Sequence, residues 1–338
     1  MPKFHAYAAD SAKASLKPFE FDPGDLPPEE VEIKVDYCGL CHSDLSMLDN
    51  EWGWSRYPFV PGHEATGTVV ALGSEAKGLK VGQKVGVGWT SYSCLSCSEC
   101  LSGDHHLCAN IGWTIVGRHG AFADRVRVQW TWARPLPEGL DPAKVGPLLC
   151  GGITVFTPLV IHDLPPTARV GVIGIGGLGH MALQFANKWG CEVHAFTTSD
   201  NKEAEAKKLG AHVVHNTKRD GELKKLKGSL DLIISTINAP LDVPGLLGAL
   251  KAKGTLHTVG IIPKPLEVSA IDLIAQQRSV AGSPSGSPSV IDRMLDFSAR
   301  HNIAPITEEY PMSKINEAFE HLRAGKARYR IVLKNDIK

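Results

Sequence analysis

The stretch 38–67, CGLCHSDLSMLDNEWGWSRYPFVPGHEATG, contains the residues of this chain best suited to chemistry. Cys41, His63 and Glu64 offer a thiolate, an imidazole and a carboxylate, which a catalytic Zn²⁺ accepts while one tetrahedral position stays open for substrate. Cys150, in PLLCGGITV, is the candidate for a further strong ligand. The pattern predicts a catalytic metal centre, and simple packing of Cys41 in a core is the alternative.

Two neighbouring features favour the metal over the core. Asp44 follows Cys41 by three residues and is able to accept a hydrogen bond from the far ring nitrogen of His63, which would fix the imidazole tautomer. The turn at Gly62, directly after Pro61, suits a rigid loop that aims side chains inward. We therefore expect these residues to form one site.

A second cysteine cluster follows within a short loop. Its thiols are separated by two, two and seven residues and belong to Cys94, Cys97, Cys100 and Cys108. Four thiolates at such spacing can close on one ion as a saturated tetrahedral site, which has no vacancy for chemistry. Disulfides or free thiols are the alternative, although a cytosolic chain would keep its thiols reduced.

A glycine-rich turn lies between an apolar strand pattern, VGVI, and a helical pattern, MALQFANKW. The turn comprises Gly174, Gly176, Gly177, Leu178 and Gly179. Glycines in this context let the backbone approach a pyrophosphate at a helix N-terminus. The segment predicts a dinucleotide site, and further strand and helix patterns after it predict a doubly wound parallel sheet.

The end of the next predicted strand indicates which nucleotide binds. An NAD site usually has an acidic side chain there for the ribose 2′-hydroxyl. This chain instead has the hydroxyls of Thr197, Thr198 and Ser199, followed by Lys202, which suit a 2′-phosphate. Ser199 or Asp200 also fits as the N-cap of the following helix. The loop favours NADP(H) over NAD(H).

Composition limits the class of protein. Lys+Arg and Asp+Glu number 36 each, which provides no electrostatic case for nucleic acid or an anionic membrane. No apolar run is long enough for a membrane span, and the first residues lack a signal-peptide core, so we expect a cytoplasmic chain. Its 338 residues suit two domains.

The predicted elements place the motifs in those domains. Residues 1–37 and 66–89 alternate apolar and polar positions with turns between them, as in a small β-rich domain. Residues 141–160 read as helical, with Asp141 as N-cap and Pro142 in the first turn. The segment GSPSGSP, from residue 282, is expected to return the chain to the first domain and to line the nicotinamide pocket.

Nearly the whole chain resembles the zinc-containing medium-chain alcohol dehydrogenases. The resemblance rests on CGLCHSDL, PGHEATGTVVALG, the four-cysteine loop, GPLLCGGITVF, GIGGLG and the C-terminal pattern. GIGGLG and the C-terminal pattern are most similar to the cinnamyl-alcohol-dehydrogenase-like branch and its bacterial NADPH-dependent aldehyde reductases of broad range. The resemblance implies a GroES-like catalytic domain over 1–151 and 288–338 and a Rossmann domain over 152–287.

The resemblance also assigns roles. It implies two zinc ions per chain: one held by Cys41, His63 and Cys150, with Glu64 as a close or alternating ligand, and one held by the four-cysteine loop. Ser43 matches the hydroxyl that takes the alcohol proton. The 2′-phosphate loop matches Thr197, Thr198, Ser199 and Lys202. Further cofactor contacts are assigned to His42, Gly260, Ser283, Ser285 and Arg330.

One departure concerns proton exit. Several family members have a histidine three residues after the Ser43 hydroxyl, and this chain has Ser46. The proton then leaves through the cofactor ribose, through water or through Glu51. Trp52 and Trp89, with Trp54, are candidates for a substrate wall or for ordinary packing.

The expected reaction is hydride transfer between NADP(H) and a primary alcohol or aldehyde, aliphatic or aromatic, working as an aldehyde reductase. Zinc would polarise the substrate oxygen while the cofactor does the redox chemistry. A polyol or secondary-alcohol dehydrogenase and a non-enzymatic nucleotide-binding protein are the alternatives. The expected partners are a small-molecule substrate and a further copy of the chain, in a homodimer or homotetramer.

Overall fold

The computed structural model describes residues 3–262 and 264–338. Its internal contacts divide the chain into one unit of Met1–Cys150 with Ser285–Lys338 and another of Gly151–Pro284. Among the described residues, no single helix has the length and apolar character needed to cross a membrane. One bent pair, Pro142–Leu149 with Gly151–Ile161, meets that test by length and composition only.

The N-terminal part of the first unit is mainly β-structure. Its elements in order are β1 (Phe4–Ala8), β2 (Lys17–Phe21), β3 (Glu30–Leu40), α1 (His42–Leu48), β4 (Ala65–Leu72), β5 (Lys84–Val87), β6 (Thr90–Tyr92), α2 (Ser98–Leu101), β7 (Gly112–Trp113), β8 (Arg125–Gln129), β9 (Arg134–Pro135) and α3 (Pro142–Val145). The short α-helices lie between strands and leave the sheet to organise the unit.

The predicted helix around Cys150 is interrupted. α3 begins as expected, with the Asp141 side chain accepting from the Ala143 backbone N–H and Pro142 in the first turn. A 3₁₀ turn then covers Gly146–Leu149, and Cys150 has non-helical angles. Pro147 has no backbone N–H to donate, so the chain cannot continue a regular α-helix there. The break frees Cys150 from any helix face.

The second unit alternates strands and helices. Its elements are α4 (Gly151–Ile161), β10 (Arg169–Ile173), α5 (Gly179–Trp189), β11 (Glu192–Thr197), α6 (Glu203–Lys208), β12 (Val213–Asn216), β13 (Leu230–Ser235), α7 (Val243–Ala249), β14 (Leu250–Thr258), α8 (Ala270–Ile274) and β15 (Ser279–Gly282). The chain then returns to the first unit with α9 (Pro288–His301), β16 (Thr307–Pro311), α10 (Ile315–Arg323) and β17 (Arg330–Lys334).

The first unit is built on a sheet of order β16-β17-β3-β4-β5-β9, with β8 also paired to β3. β3 is the central strand because its eleven residues pair antiparallel with β17, β4 and β8. Its inward side chains enter a core made largely of branched aliphatic and aromatic residues, among them Val31, Ile33, Val35, Phe59, Phe122 and Ile331. This burial stabilises the sheet ends that carry the site.

The second unit has a six-stranded sheet of order β12-β11-β10-β13-β14-β15, and every neighbouring pair is parallel. β10 and β13 are adjacent although they are not consecutive along the chain, so the winding reverses between them. Ligands bind at the carboxyl ends of strands beside such a switch point. The doubly wound α/β fold predicted from the sequence is confirmed.

Candidate active site

The pairing of β3 with β4 brings two of the predicted ligands to one end of the sheet. Cys38 lies opposite Ala65 in the antiparallel register, and the Gly39 N–H donates to the Glu64 carbonyl at 2.9 Å. Cys41 follows the end of β3 and Glu64 precedes the start of β4. The two side chains, far apart in sequence, therefore meet at the same edge.

The four predicted ligand atoms converge. One ligand atom each from Cys41, His63, Glu64 and Cys150 lies within 4.8 Å of every other. The sulfurs of Cys41 and Cys150 are 3.9 Å apart, and His63 Nε2 is 3.3 Å from the Cys150 sulfur. Two thiolates at the usual zinc–sulfur distance on one tetrahedral ion would be separated by about 3.8 Å. The donor set and its spacing fit zinc.

Asp44 connects the segments of this cluster through hydrogen bonds. Its carboxylate accepts hydrogen bonds from the backbone N–H groups of Cys41 and Gly62, both at 2.9 Å. It also lies 2.9 Å from His63 Nδ1. With Nδ1–H donating to the carboxylate, the lone pair of Nε2 points toward the thiols, as a metal ligand requires. The predicted Asp44–His63 contact is present.

Hydrogen bonds and neighbouring charges shift the pKa values of the groups in this cluster. The hydrogen bond between the two sulfurs lowers the pKa of Cys41 well below that of a free thiol and raises the pKa of Cys150. Burial lowers the pKa of His63, but the Asp44 carboxylate and the Cys41 sulfur together raise it well above the usual value. A metal at this position would displace these protons, because ligands bind in their deprotonated forms.

Glu64 has a partner that the sequence did not indicate. The Arg330 guanidinium donates to Glu64 Oε1, while Glu64 Oε2 is buried without a partner among the described residues. Burial raises the pKa of Glu64 to about 7, against the opposing charge of Arg330. Arg330, assigned above to the cofactor, also lies 3.8 Å from the Cys41 sulfur. Arg330 and Glu64 are 266 positions apart in the chain.

Gly39 makes room for the Glu64 side chain. A Cβ atom at Gly39 would lie 2.0 Å from Glu64 Oε2, far inside van der Waals contact. Only glycine therefore permits this approach without movement of the carboxylate.

Indole rings form a chain that leads away from His63. Trp89 packs edge-to-face on the imidazole with 4.8 Å between ring centroids, and Trp52 contacts Trp89 at 6.1 Å. Trp54 contacts Trp52 and stacks on Trp113 with an interplanar angle of 5°. Trp52 and Trp89 also pack on the core, whereas Trp54 is 49% exposed.

Hydroxyl groups continue from the cluster along α1. Ser43 Oγ lies 3.7 Å from the Cys41 sulfur. The buried Ser46 follows three residues later, so it lies on the same helix face. Its hydroxyl donates to Glu51 Oε2 at 2.7 Å, and Glu51 is exposed to solvent. His42, at the start of α1, is exposed.

The second cysteine cluster is also assembled. One sulfur each from Cys94, Cys97, Cys100 and Cys108 lies within 4.8 Å of every other. Backbone N–H groups of Ser96 and Cys97 lower the pKa of Cys94 to about 6, which favours its thiolate. All eight cysteines of the chain lie in the described ranges and none forms a disulfide. The tetrad suits a closed structural site.

In the second unit, the glycine turn is shaped for a ligand. Gly174 has φ +88°, and a Cβ at Gly179 would lie 1.7 Å from the Gly174 carbonyl oxygen, so both positions require glycine. A Cβ at Gly176 would meet open space. Gly177 and Leu178 complete the turn into α5. The open side at the helix N-terminus is where a pyrophosphate would fit.

The predicted nucleotide loop borders a cavity of about 420 Å³. Its lining includes Gly174, the first residue of the glycine turn, and Thr197, Thr198 and Lys202 of the nucleotide loop. Lys202 Nζ donates to the Ile175 carbonyl at 3.4 Å, so the ammonium lies beside the turn. Ser199 forms the N-cap position of the 3₁₀ turn Asp200–Lys202, without a side-chain cap bond. Hydroxyl and ammonium groups suited to the 2′-phosphate of NADP(H) therefore lie at one cavity.

The remaining assigned cofactor residues are placed separately. Gly260 approaches Ile237 so closely that a Cβ would lie 2.1 Å from the Ile237 carbonyl oxygen. Ser283, after β15, is 2.9 Å from His257 Nε2. Ser285 belongs to the first unit. None of these contacts was evident from local sequence pattern.

Comparison with known proteins agrees with this architecture. Residues 27–138 match the alcohol dehydrogenase GroES-like domain, and residues 177–300 match the zinc-binding dehydrogenase domain. The chain is 52% identical over 328 residues to a Synechocystis protein named aldehyde reductase AdhA, covering 97% of this chain and 98% of that one. The chain belongs to the zinc-containing medium-chain alcohol dehydrogenases. The family predicted from the sequence is confirmed.

Solved structures of other members match this dehydrogenase closely. A cinnamyl alcohol dehydrogenase from Sorghum bicolor superposes with a TM-score of 0.92 at 35% identity, covering 98% of each chain. A Helicobacter pylori enzyme, solved as a complex with NADP(H), gives 0.87 at 32% identity and the same coverage. The dehydrogenase is therefore an oxidoreductase of alcohols and aldehydes with a GroES-like and a Rossmann-like domain.

Proposed function

We propose that this dehydrogenase is a zinc-dependent aldehyde reductase that uses NADPH to reduce primary aliphatic or aromatic aldehydes. The observation that carries the proposal is the convergence of one thiolate pair, one imidazole and one carboxylate within 4.8 Å. The reaction consumes one aldehyde, one NADPH and one proton and yields one primary alcohol and NADP⁺.

In this proposal, Cys41, His63 and Cys150 hold the catalytic zinc, and Glu64 alternates between the metal and Arg330. A zinc ion held there supplies Lewis-acid polarisation of the substrate oxygen. Asp44 keeps the imidazole of His63 in the tautomer that leaves Nε2 available. The four thiolates of the second cluster hold a structural zinc.

Proton delivery follows the hydroxyl groups of α1. Ser43 would donate the proton that the substrate oxygen takes up. Ser46, on the same helix face, passes a replacement proton because its hydroxyl is hydrogen-bonded to Glu51. Glu51 is exposed and exchanges with solvent. Of the three exits considered from the sequence, the hydrogen bond supports the route through Glu51.

Cofactor preference follows from the nucleotide loop. Thr197 and Thr198 offer hydroxyls and Lys202 offers a cation at the 420 Å³ cavity, and Ser199 adds a further hydroxyl from the same loop. These groups suit the dianionic 2′-phosphate of NADP(H) better than a ribose hydroxyl. The named NADP complex of the Helicobacter pylori relative supports the same assignment.

A homodimer completes the proposal. β15 is the edge strand of the parallel sheet, and an exposed edge is a surface for pairing with another strand. In the chain segment that precedes β15, Ile261, Ile271 and Ile274 are 64%, 65% and 72% exposed. Exposed apolar side chains and an unpaired strand edge in the same unit fit a second copy of the chain. The homotetramer remains the larger assembly to be distinguished by mass.

The test compares oxidation of NADPH and NADH, at equal concentrations, with one unhindered aromatic aldehyde. The expected result is rapid oxidation of NADPH, much slower oxidation of NADH, and loss of both after a zinc chelator. Equal rates with NADH would contradict the cofactor assignment. Inactivity toward aldehydes but turnover of a polyol or secondary alcohol would favour the alternative substrate class.

A further inference from the structure

Asp200 is an acidic residue inside the loop proposed to bind the 2′-phosphate. It follows β11 by three positions, in the region where NAD-dependent enzymes place a carboxylate for the ribose hydroxyls. A free carboxylate there would also repel a phosphate, because like charges brought together oppose binding. The negative charge of Asp200 therefore opposes the binding of the 2′-phosphate that is proposed for this loop.

Two side chains from the neighbouring strand end hold this carboxylate. Asn216 Nδ2 donates to Asp200 Oδ1 at 2.7 Å, and an Arg219 guanidinium N–H donates to the same oxygen at 3.0 Å. The hydrogen bond from Asn216, followed by Arg219, lowers the pKa of Asp200 and keeps it ionised. Its charge is thus paired with a cation that does not come from the phosphate loop.

The position of Asn216 is set by the sheet. It is the last residue of β12 and lies opposite Thr197 in the parallel register with β11. Its Oδ1 accepts the backbone N–H of Lys218 at 3.0 Å, which directs Nδ2 toward Asp200. Arg219 follows in the same turn, where its N–H donates to the Asn216 carbonyl. The turn presents both donors together.

We propose that Asn216 and Arg219 are specificity-determining residues that clamp Asp200 and thereby protect the NADPH preference of the loop. The clamp occupies Oδ1 of the Asp200 carboxylate and pairs its charge with Arg219. It leaves Lys202 uncompensated by Asp200, so that one net positive charge faces the 2′-phosphate. The inference rests on the proposed function, since it explains how that cofactor preference is maintained.

The test measures cofactor affinity without turnover. The full-length protein is titrated with NADPH and with NADH, and binding is followed by the fluorescence of the reduced nicotinamide. The titrations compare the wild type with Arg219→Ala and Asn216→Ala. Arg219→Ala is expected to weaken NADPH binding about 3- to 5-fold, the range of an exposed charge interaction, and to change NADH binding less than about 2-fold. The loss should shrink at high salt.

Two further variants separate the clamp from its alternatives. Lys218→Ala removes the same charge from the adjacent position and is expected to change NADPH affinity less than about 2-fold. Asp200→Asn combined with Arg219→Ala is expected to restore wild-type NADPH affinity, because no free carboxylate remains. Unchanged melting temperatures would show that each variant is folded.

Equal losses in Lys218→Ala and Arg219→Ala would overturn the clamp in favour of general surface charge. A double variant as weak as Arg219→Ala would also overturn it, because Arg219 would then contact the phosphate directly. Failure of the proposed function looks different: the wild type itself would bind NADH as tightly as NADPH. In that case there is no NADPH preference for Asn216 and Arg219 to maintain, and the proposal about these two residues is also rejected.

Discussion

At the scale of single residues, the site depends on geometry that residue type alone does not supply. His63 is useful as a ligand because Asp44 occupies Nδ1 and leaves Nε2 facing the Cys150 sulfur at 3.3 Å. Cys150 reaches that position because the chain leaves helical geometry there. The ability of His63 and Cys150 to bind a metal therefore depends on how the fold arranges their atoms.

Replacement of Cys150 tests the catalytic ligand set. Cys150→Ser is expected to lower bound zinc from two ions to one per chain and to reduce aldehyde reduction at least about a hundredfold, since a ligand matters no less than its supporting residues. Elemental analysis and steady-state rates provide the measurements. Cys191→Ala removes a buried thiol from the other unit and should retain both ions. A Cys150→Ser protein with two zinc ions would contradict the assignment.

Removal of the Ser46 hydroxyl tests the proton route. Ser46→Ala and Glu51→Gln are expected to slow alcohol oxidation about tenfold near pH 6.5, because each breaks the hydrogen-bonded path. The pH–rate profile should move to higher pH, and small amine buffers should restore part of the rate. Ser46→Thr retains a hydroxyl and serves as the control. A loss that is the same at every pH would point to a structural role.

At the scale of elements, loops and strand ends hold the chemistry while sheets fix its position. The four-cysteine loop contains little regular structure beyond α2 and a short 3₁₀ turn. A loop of this kind depends on cross-links, because it buries little apolar surface. A metal ion would supply them.

Cys97→Ser is expected to release the structural zinc and to lower the melting temperature by roughly 5 °C or more, with near-normal kcat at low temperature. A loss of about 1 kcal/mol shifts the melting temperature of a large domain by about 2 to 4 °C, and metal ligation contributes more than that. Calorimetry with zinc analysis makes the comparison. Ser98→Ala, at the next position in the chain, is the control. Equal melting temperatures for the two variants would refute the structural site.

A histidine in the second unit, buried against a half-buried one, predicts a pH effect on stability. His257 is fully buried, and its Nδ1 lies 2.9 Å from His162 Nε2. Burial, with the charge of His162, lowers the pKa of His257 to about 4. Below the ordinary histidine pKa of about 6.5, the unfolded chain therefore binds a proton that the folded protein does not. Stability should fall as the pH drops from about 6.5 toward 4.

The measurement is urea unfolding at pH 7.5 and pH 5.0. The His257 contribution should remove about 2 kcal/mol of unfolding free energy between these values, following 1.36 kcal/mol for each pH unit below 6.5. His257→Gln should reduce the difference by that amount. His301→Gln, a histidine on α9, should leave it unchanged. An identical pH dependence in wild type and His257→Gln would show that His257 does not contribute.

At the scale of the whole molecule, we expect a dimer built through the β15 edge. Ile271→Glu with Ile274→Glu is expected to convert the wild-type dimer to a monomer, because burial of two added carboxylates opposes association. Light scattering coupled to gel filtration measures the mass. Leu101→Glu, at a residue 77% exposed on the four-cysteine loop, is the control. A wild-type monomer, or a double variant of unchanged mass, would contradict this interface.

The sequence by itself determined the family, the two folds and the residue types able to bind metal and nucleotide. These properties are local: a glycine turn between a strand and a helix, or four thiols within one loop, has the same meaning wherever the rest of the chain lies. Cys41, His63 and Glu64 could be assigned to one metal site from the sequence because they belong to two short segments with characteristic patterns.

The tertiary structure decided which charges meet. Arg330 reaches Glu64 because β17 pairs with β3, and nothing in the local pattern of either residue indicates the other. Asn216 reaches Asp200 because β12 lies beside β11. Contacts of this kind depend on sheet register, which is a property of the packed chain. Long-range pairing, and the electrostatics that follows from it, could therefore be read only from the folded molecule.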